Sequence, residues 1–119
     1  MILAILKWVL GVFMVFAGVM HFATPKPFER IVPSVLPAKR LLVYVSGVAE
    51  ILCGVGLLVP VTQTWAAWAL IALFVAVFPA NINMAINDIP LGKTPLPRWA
   101  HWIRLPLQFV LIAWAWAYT

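Results

Sequence analysis

The chain has 119 residues, 66% of them hydrophobic and 9% charged, where a soluble domain runs at roughly 45–50% apolar and about 25% charged. With a mean hydropathy of +1.07, that balance excludes a soluble globular domain and leaves a single small polytopic membrane domain, residues 1–119. The net charge of +5 sits in segments that flank apolar runs, as positive-inside orientation requires, so no nucleic-acid partner is expected.

A helix needs about 20 apolar residues to cross a bilayer, and four stretches qualify: 2–22, 41–59, 65–84 and 99–119. None alternates strictly as a membrane barrel strand would, and backbone groups in lipid must be satisfied within the segment. The expected fold class is therefore all-α, a four-helix transmembrane bundle. The first stretch departs from a signal peptide, because no basic residue precedes Lys7 and His21 stands where a small cleavage-site residue would be needed; it is read as mature protein.

Segment 27–37 mixes Phe28, Ile31, Val32, Val35 and Leu36 with Glu29 and Arg30. Too short to span, it is expected to form a short interfacial segment between helices 1 and 2, either a lid over the bundle mouth or a membrane-hugging linker. The connections 23–40 and 85–98 carry Lys26, Arg30, Lys39, Arg40, Lys93 and Arg98, whereas 60–64 is uncharged. Lys7 snorkels to the opposite face. This asymmetry predicts cytoplasmic long loops, both termini outside, and residence in the plasma membrane.

Ionisable groups inside hydrocarbon cost a few kcal/mol each and must face the bundle interior. Glu50 lies nine residues into the second stretch, about 13 Å from its loop end. Ser46, Gly47, Cys53 and Gly54 stand three or four positions away, a small-residue face suited to close helix packing. In the fourth stretch His101, Arg104 and Gln108 share one helical stripe, so a charge-assisted Glu50–Arg104 contact is expected. Pro79 and Pro106 each remove a backbone donor, freeing the carbonyls of Val75 and Trp102.

Each proline stands two residues before an amide, Asn81 or Gln108. His21 closes the first stretch, with Gly11 and Gly18 on its stripe. Together His21, Glu50, Asn81, His101, Arg104 and Gln108 are expected to form a polar basin opening toward the loop face. The alternative is a structural network that fixes helix register. Short echoes link Gly18-Val19-Met20-His21 to Gly47-Val48-Ala49-Glu50 and Pro79-Ala80-Asn81 to Pro106-Leu107-Gln108, matches that chance explains, with a duplicated helix as the alternative. Cys53 is read as a packing residue, and no two candidate ligands lie at metal-binding spacing on one helix, so no metal is expected.

The ordered set Gly18-Val19-Met20-His21-Phe22 with Pro25, Ser46-Gly47-Val48-Ala49-Glu50-Ile51 leading to Gly54, Gly56 and Pro60, Phe78-Pro79-Ala80-Asn81, and Arg104-Leu105-Pro106-Leu107-Gln108 resembles the DoxX-like small membrane proteins. The resemblance covers nearly the whole chain. It implies four transmembrane helices and a shared polar core of the His, Glu, Asn, Arg and Gln residues. It also implies links to quinone-dependent oxidation, as in a thiosulfate:quinone oxidoreductase subunit, and to oxidative-stress complexes, with distant relatives in membrane-protein assembly or cargo export.

The leading expectation is a site for a quinone-like or other amphipathic molecule. Glu50 and His21 would be its catalytic, proton-moving pair, and Arg104, Gln108, Asn81 and His101 its ligand-binding residues. Quinone is the suspected cofactor. The chain lacks a cysteine pair, haem ligands on facing helices and a nucleotide motif, so electrons would come from a redox partner protein in the lipid bilayer. An oxidoreductase subunit is thus one reading, and a homo-oligomer stays open. The alternatives are a proton-coupled small-molecule exporter and a non-catalytic membrane assembly factor.

Overall fold

Runs of aliphatic residues with few breakers fold into α1 (Ile2–Ala23), α3 (Lys39–Leu58) and α4 (Gln63–Asn87), with the short α2 (Pro25–Ile31) after the first and α5 (Arg98–Trp116) closing the chain. The structure, a computed structural model, describes residues 1–33, 35–87, 89 and 97–119. Lys93, expected on the loop face, lies outside the described residues.

The four-helix transmembrane bundle expected from the sequence is corrected on two counts. Five helices are present among the described residues, and three of them, α1, α3 and α4, are long and apolar enough to cross a membrane. The fourth expected span, α5, spends its first two turns on Arg98, His101 and Arg104 and carries Gln108 beyond them, which dilutes its apolar content. The additional helix, α2, starts on Pro25 with Pro27 close behind; proline is tolerated in the first helical turn because that N–H has no intrahelical partner. The three long apolar helices mark a multi-pass membrane protein that associates with a lipid bilayer.

The helices pair as α1 with α3 and α4 with α5, and α3 joins α4 to unite the two pairs. A compact turn links α3 to α4, where the Thr62 hydroxyl donates to the carbonyl of Gly56 at 2.7 Å. The apolar core lies away from the charged loops, built around Leu10, Met14, Leu57, Ala67, Leu70 and Phe74. At that end Lys7 Nζ donates to Gln63 Oε1 at 3.0 Å, and the Tyr118 hydroxyl donates to the Leu3 carbonyl at 2.9 Å. Gln63 Nε2 also donates to the Tyr118 carbonyl at 3.4 Å, so the end of α5 lies at the start of α4 and the two helices run antiparallel.

Glycines set the α1–α3 distance. A Cβ added at Gly18 would stand 2.6 Å from the Gly47 carbonyl oxygen, and one at Gly54 would stand 2.7 Å from that of Gly11. The two contacts recur at the same interval on both antiparallel helices, so the backbones touch twice along one seam. Ala38, immediately before α3, adopts a left-handed backbone with φ 53°, a conformation that a Cβ disfavours.

Candidate functional site

Gly18 and Gly47 face each other at the loop-side crossing, and three residues beyond each glycine stands a titratable residue, His21 on α1 and Glu50 on α3. Three residues advance a helix by about 4.5 Å, and in an antiparallel pair the two advances point apart. Helical side chains lean back toward their own N-terminus, so the imidazole and the carboxyl both turn toward the crossing. They meet there, with His21 Nδ1 3.1 Å from Glu50 Oε2. The sequence echo between the two segments is the two sides of this contact.

His21 Nδ1 also lies 2.7 Å from the carbonyl oxygen of Ala17. A carbonyl oxygen can only accept, so Nδ1 carries a proton and donates it. The Glu50 oxygen sits beside the same N–H, off its axis; among the described residues Oε2 has no well-aligned hydrogen bond. One proton thus faces two acceptors, and His21 and Glu50 are 8% and 9% exposed. The face of the imidazole is covered by Phe28 of α2, whose ring is stacked at 3.9 Å with an interplanar angle of 16°.

Three further contacts hold α2 in place. Ile31 is buried, its carbonyl accepts from Asn83 Nδ2 on α4 at 2.9 Å, and Glu29 accepts from Arg40 Nε on α3 at 3.0 Å. Sequence reasoning missed Asn83 and the stacking of Phe28. The available signals were a second asparagine one turn from the α4 end and an aromatic residue in the amphipathic segment, but neither identifies its partner.

The other candidates gather elsewhere. Asn81 Nδ2 donates to Gln108 Oε1 at 3.0 Å, and Gln108 Nε2 donates to the Phe74 carbonyl at 2.9 Å. Sequence reasoning expected Pro79 to free the carbonyl of Val75. The carbonyl that takes the amide is one residue earlier, that of Phe74, in the same turn that precedes the proline. Every polar atom in this chain of bonds is a neutral amide group.

The expected Glu50–Arg104 contact does not form. The backbone of α5 packs on α4, while the Glu50 carboxyl turns to α1 across the glycine seam. Arg104 Nη1 instead points at Met84 Sδ, 3.2 Å away. His101 is buried at 1% exposure on the first turn of α5. The six residues therefore divide into a His21–Glu50 pair, an Asn81–Gln108 pair, and His101 and Arg104 on α5. Among the described residues, the open grooves at Trp8, Val9, Val12, Phe13 and Phe16 and at the end of α1 are lined by none of the six.

Among known proteins, no curated protein and no solved structure matches this chain. A family match covers residues 10–119, from the glycine seam through both polar pairs to the last residue. The chain belongs to the family described as a domain of unknown function (DUF8561).

Proposed function

We propose that this protein binds a small amphipathic, quinone-like molecule at the loop-side end of α1 and α3, as an accessory of a membrane redox system, with His21 and Glu50 handling protons. The observation that carries the reading is the buried imidazole–carboxyl pair, in which one proton faces two acceptors beneath a stacked aromatic ring. A buried acid and base in contact are costly where only helix packing is needed. The Phe28 ring occupies a planar slot on His21, and a ligand ring of similar shape would take that place when α2 moves aside. The DoxX-like order of motifs adds the redox context, with a partner protein as the electron source.

In this reading His21 and Glu50 act directly on the bound molecule, and Asn81 and Gln108 brace the neighbouring helix pair. The charged loops face the cytoplasm of the plasma membrane, as positive-inside bias favours. The test is to purify the protein in mild detergent, analyse its organic extract by mass spectrometry, and repeat this with Glu50→Gln and Phe28→Ala. A stoichiometric quinone-class molecule that is lost from Glu50→Gln supports the reading. A folded wild type that is empty and takes up no added short-chain benzoquinone overturns it.

A second reading, a non-catalytic assembly factor, is favoured by the closed amide chain of α4 and α5, whose bonds satisfy one another. Partner co-purification that survives Glu50→Gln and is lost on loop substitution would point there.

A further inference from the structure

Where α1 ends and α3 begins, an open groove of about 400 Å³ is lined by the apolar Ala23, Pro25 and Pro27 and by the cationic Lys26, Arg30 and Arg40. Ala23 is the last residue of one spanning helix and Arg40 the second of another, so the groove sits at the level where both leave the hydrocarbon. Arg40 is engaged by Glu29 through Nε and Nη2, the latter at 2.9 Å. Lys26 and Arg30 form no ion pair among the described residues. The Thr24 hydroxyl, also at the groove, is committed to the Met20 carbonyl at 3.1 Å. The donors left to an incoming anion are therefore the cationic side chains.

We infer that this groove is a binding site for the phosphate of an anionic glycerophospholipid, with Lys26 and Arg30 on the phosphate, Arg40 as the fixed wall, and Ala23, Pro25 and Pro27 against the glycerol and upper acyl chain. The charge arrangement selects an anion: three cations and one carboxylate leave a surplus of two positive charges. The position and the apolar wall favour a lipid over free phosphate, which would gain nothing from two prolines and an alanine at the membrane boundary. A cation at such a surface strengthens attachment to anionic lipid about fivefold. Neither His21 nor Glu50 lines this groove, and its argument uses no part of the His21–Glu50 reading.

The experiment uses the full chain in detergent with equal amounts of phosphatidylglycerol and phosphatidylcholine, and counts retained lipids by native mass spectrometry. Wild type is expected to retain phosphatidylglycerol preferentially. Lys26→Gln with Arg30→Gln should reduce that preference about tenfold or more, whereas Lys39→Gln with Arg98→Gln, an equal charge loss at the same end but outside the groove, should reduce it clearly less. Swapping the charges as Lys26→Arg with Arg30→Lys should preserve the preference. Equal retention of both lipids, or an equal loss in the control pair, would overturn the site. Displacement of the lipid by millimolar inorganic phosphate would overturn the lipid assignment in favour of a free-phosphate site. Should the glutamine pair fail to fold, a photoreactive phosphatidylglycerol decides on wild type: labelling within 23–30 supports the groove, and labelling only elsewhere overturns it.

Discussion

Between α1 and α3 the buried polar groups are an imidazole and a carboxyl, pressed together because glycines let two backbones touch. Between α4 and α5 they are two amides and a main-chain carbonyl in the turn before Pro79, joined by donors and acceptors that match. The first arrangement has one proton for two acceptors and changes its charge when a proton is added or removed. The second is neutral, each of its two bonds pairing an amide N–H with a carbonyl oxygen. Burial of polar side chains therefore has two meanings in one small bundle, and the hydrogen-bond account of each pair separates the titratable site from the structural clasp.

The largest expected effect comes from the seam that creates the first pair. Gly18→Leu places side-chain atoms where the Gly47 carbonyl stands, and should destabilise the protein by about 3 kcal/mol or more in reversible SDS unfolding. Near-wild-type stability in that variant would mean that the seam is not tight. Next, Gln108→Leu strips both Asn81 and the Phe74 carbonyl of their partner, and should cost about 1–2 kcal/mol in the same assay. Glu50→Gln, which keeps the side-chain shape, should cost about 1 kcal/mol or less while removing the proposed ligand. Equal stability losses in these two variants would erase the contrast between the halves.

Smaller effects sharpen the picture at α2 and at the α3 entrance. Asn83→Ala removes the donor to Ile31 and should loosen α2 by about 1 kcal/mol, read as faster hydrogen exchange in Pro25–Ile31 with the long helices unchanged. Ala38→Gly relieves the left-handed backbone before α3 and should stabilise by about 0.5 kcal/mol. A destabilised Ala38→Gly protein would show that the strain is not there.

Much of the first half was legible in the sequence, because Gly11 with Gly18 and Gly47 with Gly54 repeat at one interval on two apolar helices and that pattern brings helices close. The partner of Glu50 was not. Opposite charge drew the expectation to Arg104, yet which helices adjoin is a property of the packed bundle, and α5 lies against α4. Both Asn81 and Gln108 were placed in one polar basin by their position two residues after a proline, but neither their mutual bond nor the Phe74 carbonyl as acceptor is written in that spacing. The status of α5 was misjudged because span length was weighed ahead of its polar first turns. In α2, alternation of apolar and polar residues from 27 onward hid a helix that begins two residues earlier on a proline.

The central claim, that the buried His21 donates from Nδ1 beside the Glu50 carboxyl, is tested most directly by ¹⁵N nuclear magnetic resonance of histidine-labelled protein. The chain contains 2 histidines, and His101→Gln assigns the remaining signal. The account requires His21 to carry a proton on Nδ1, with a ¹⁵N shift that moves in Glu50→Gln. A His21 protonated solely on Nε2, and indifferent to Glu50→Gln, would contradict it.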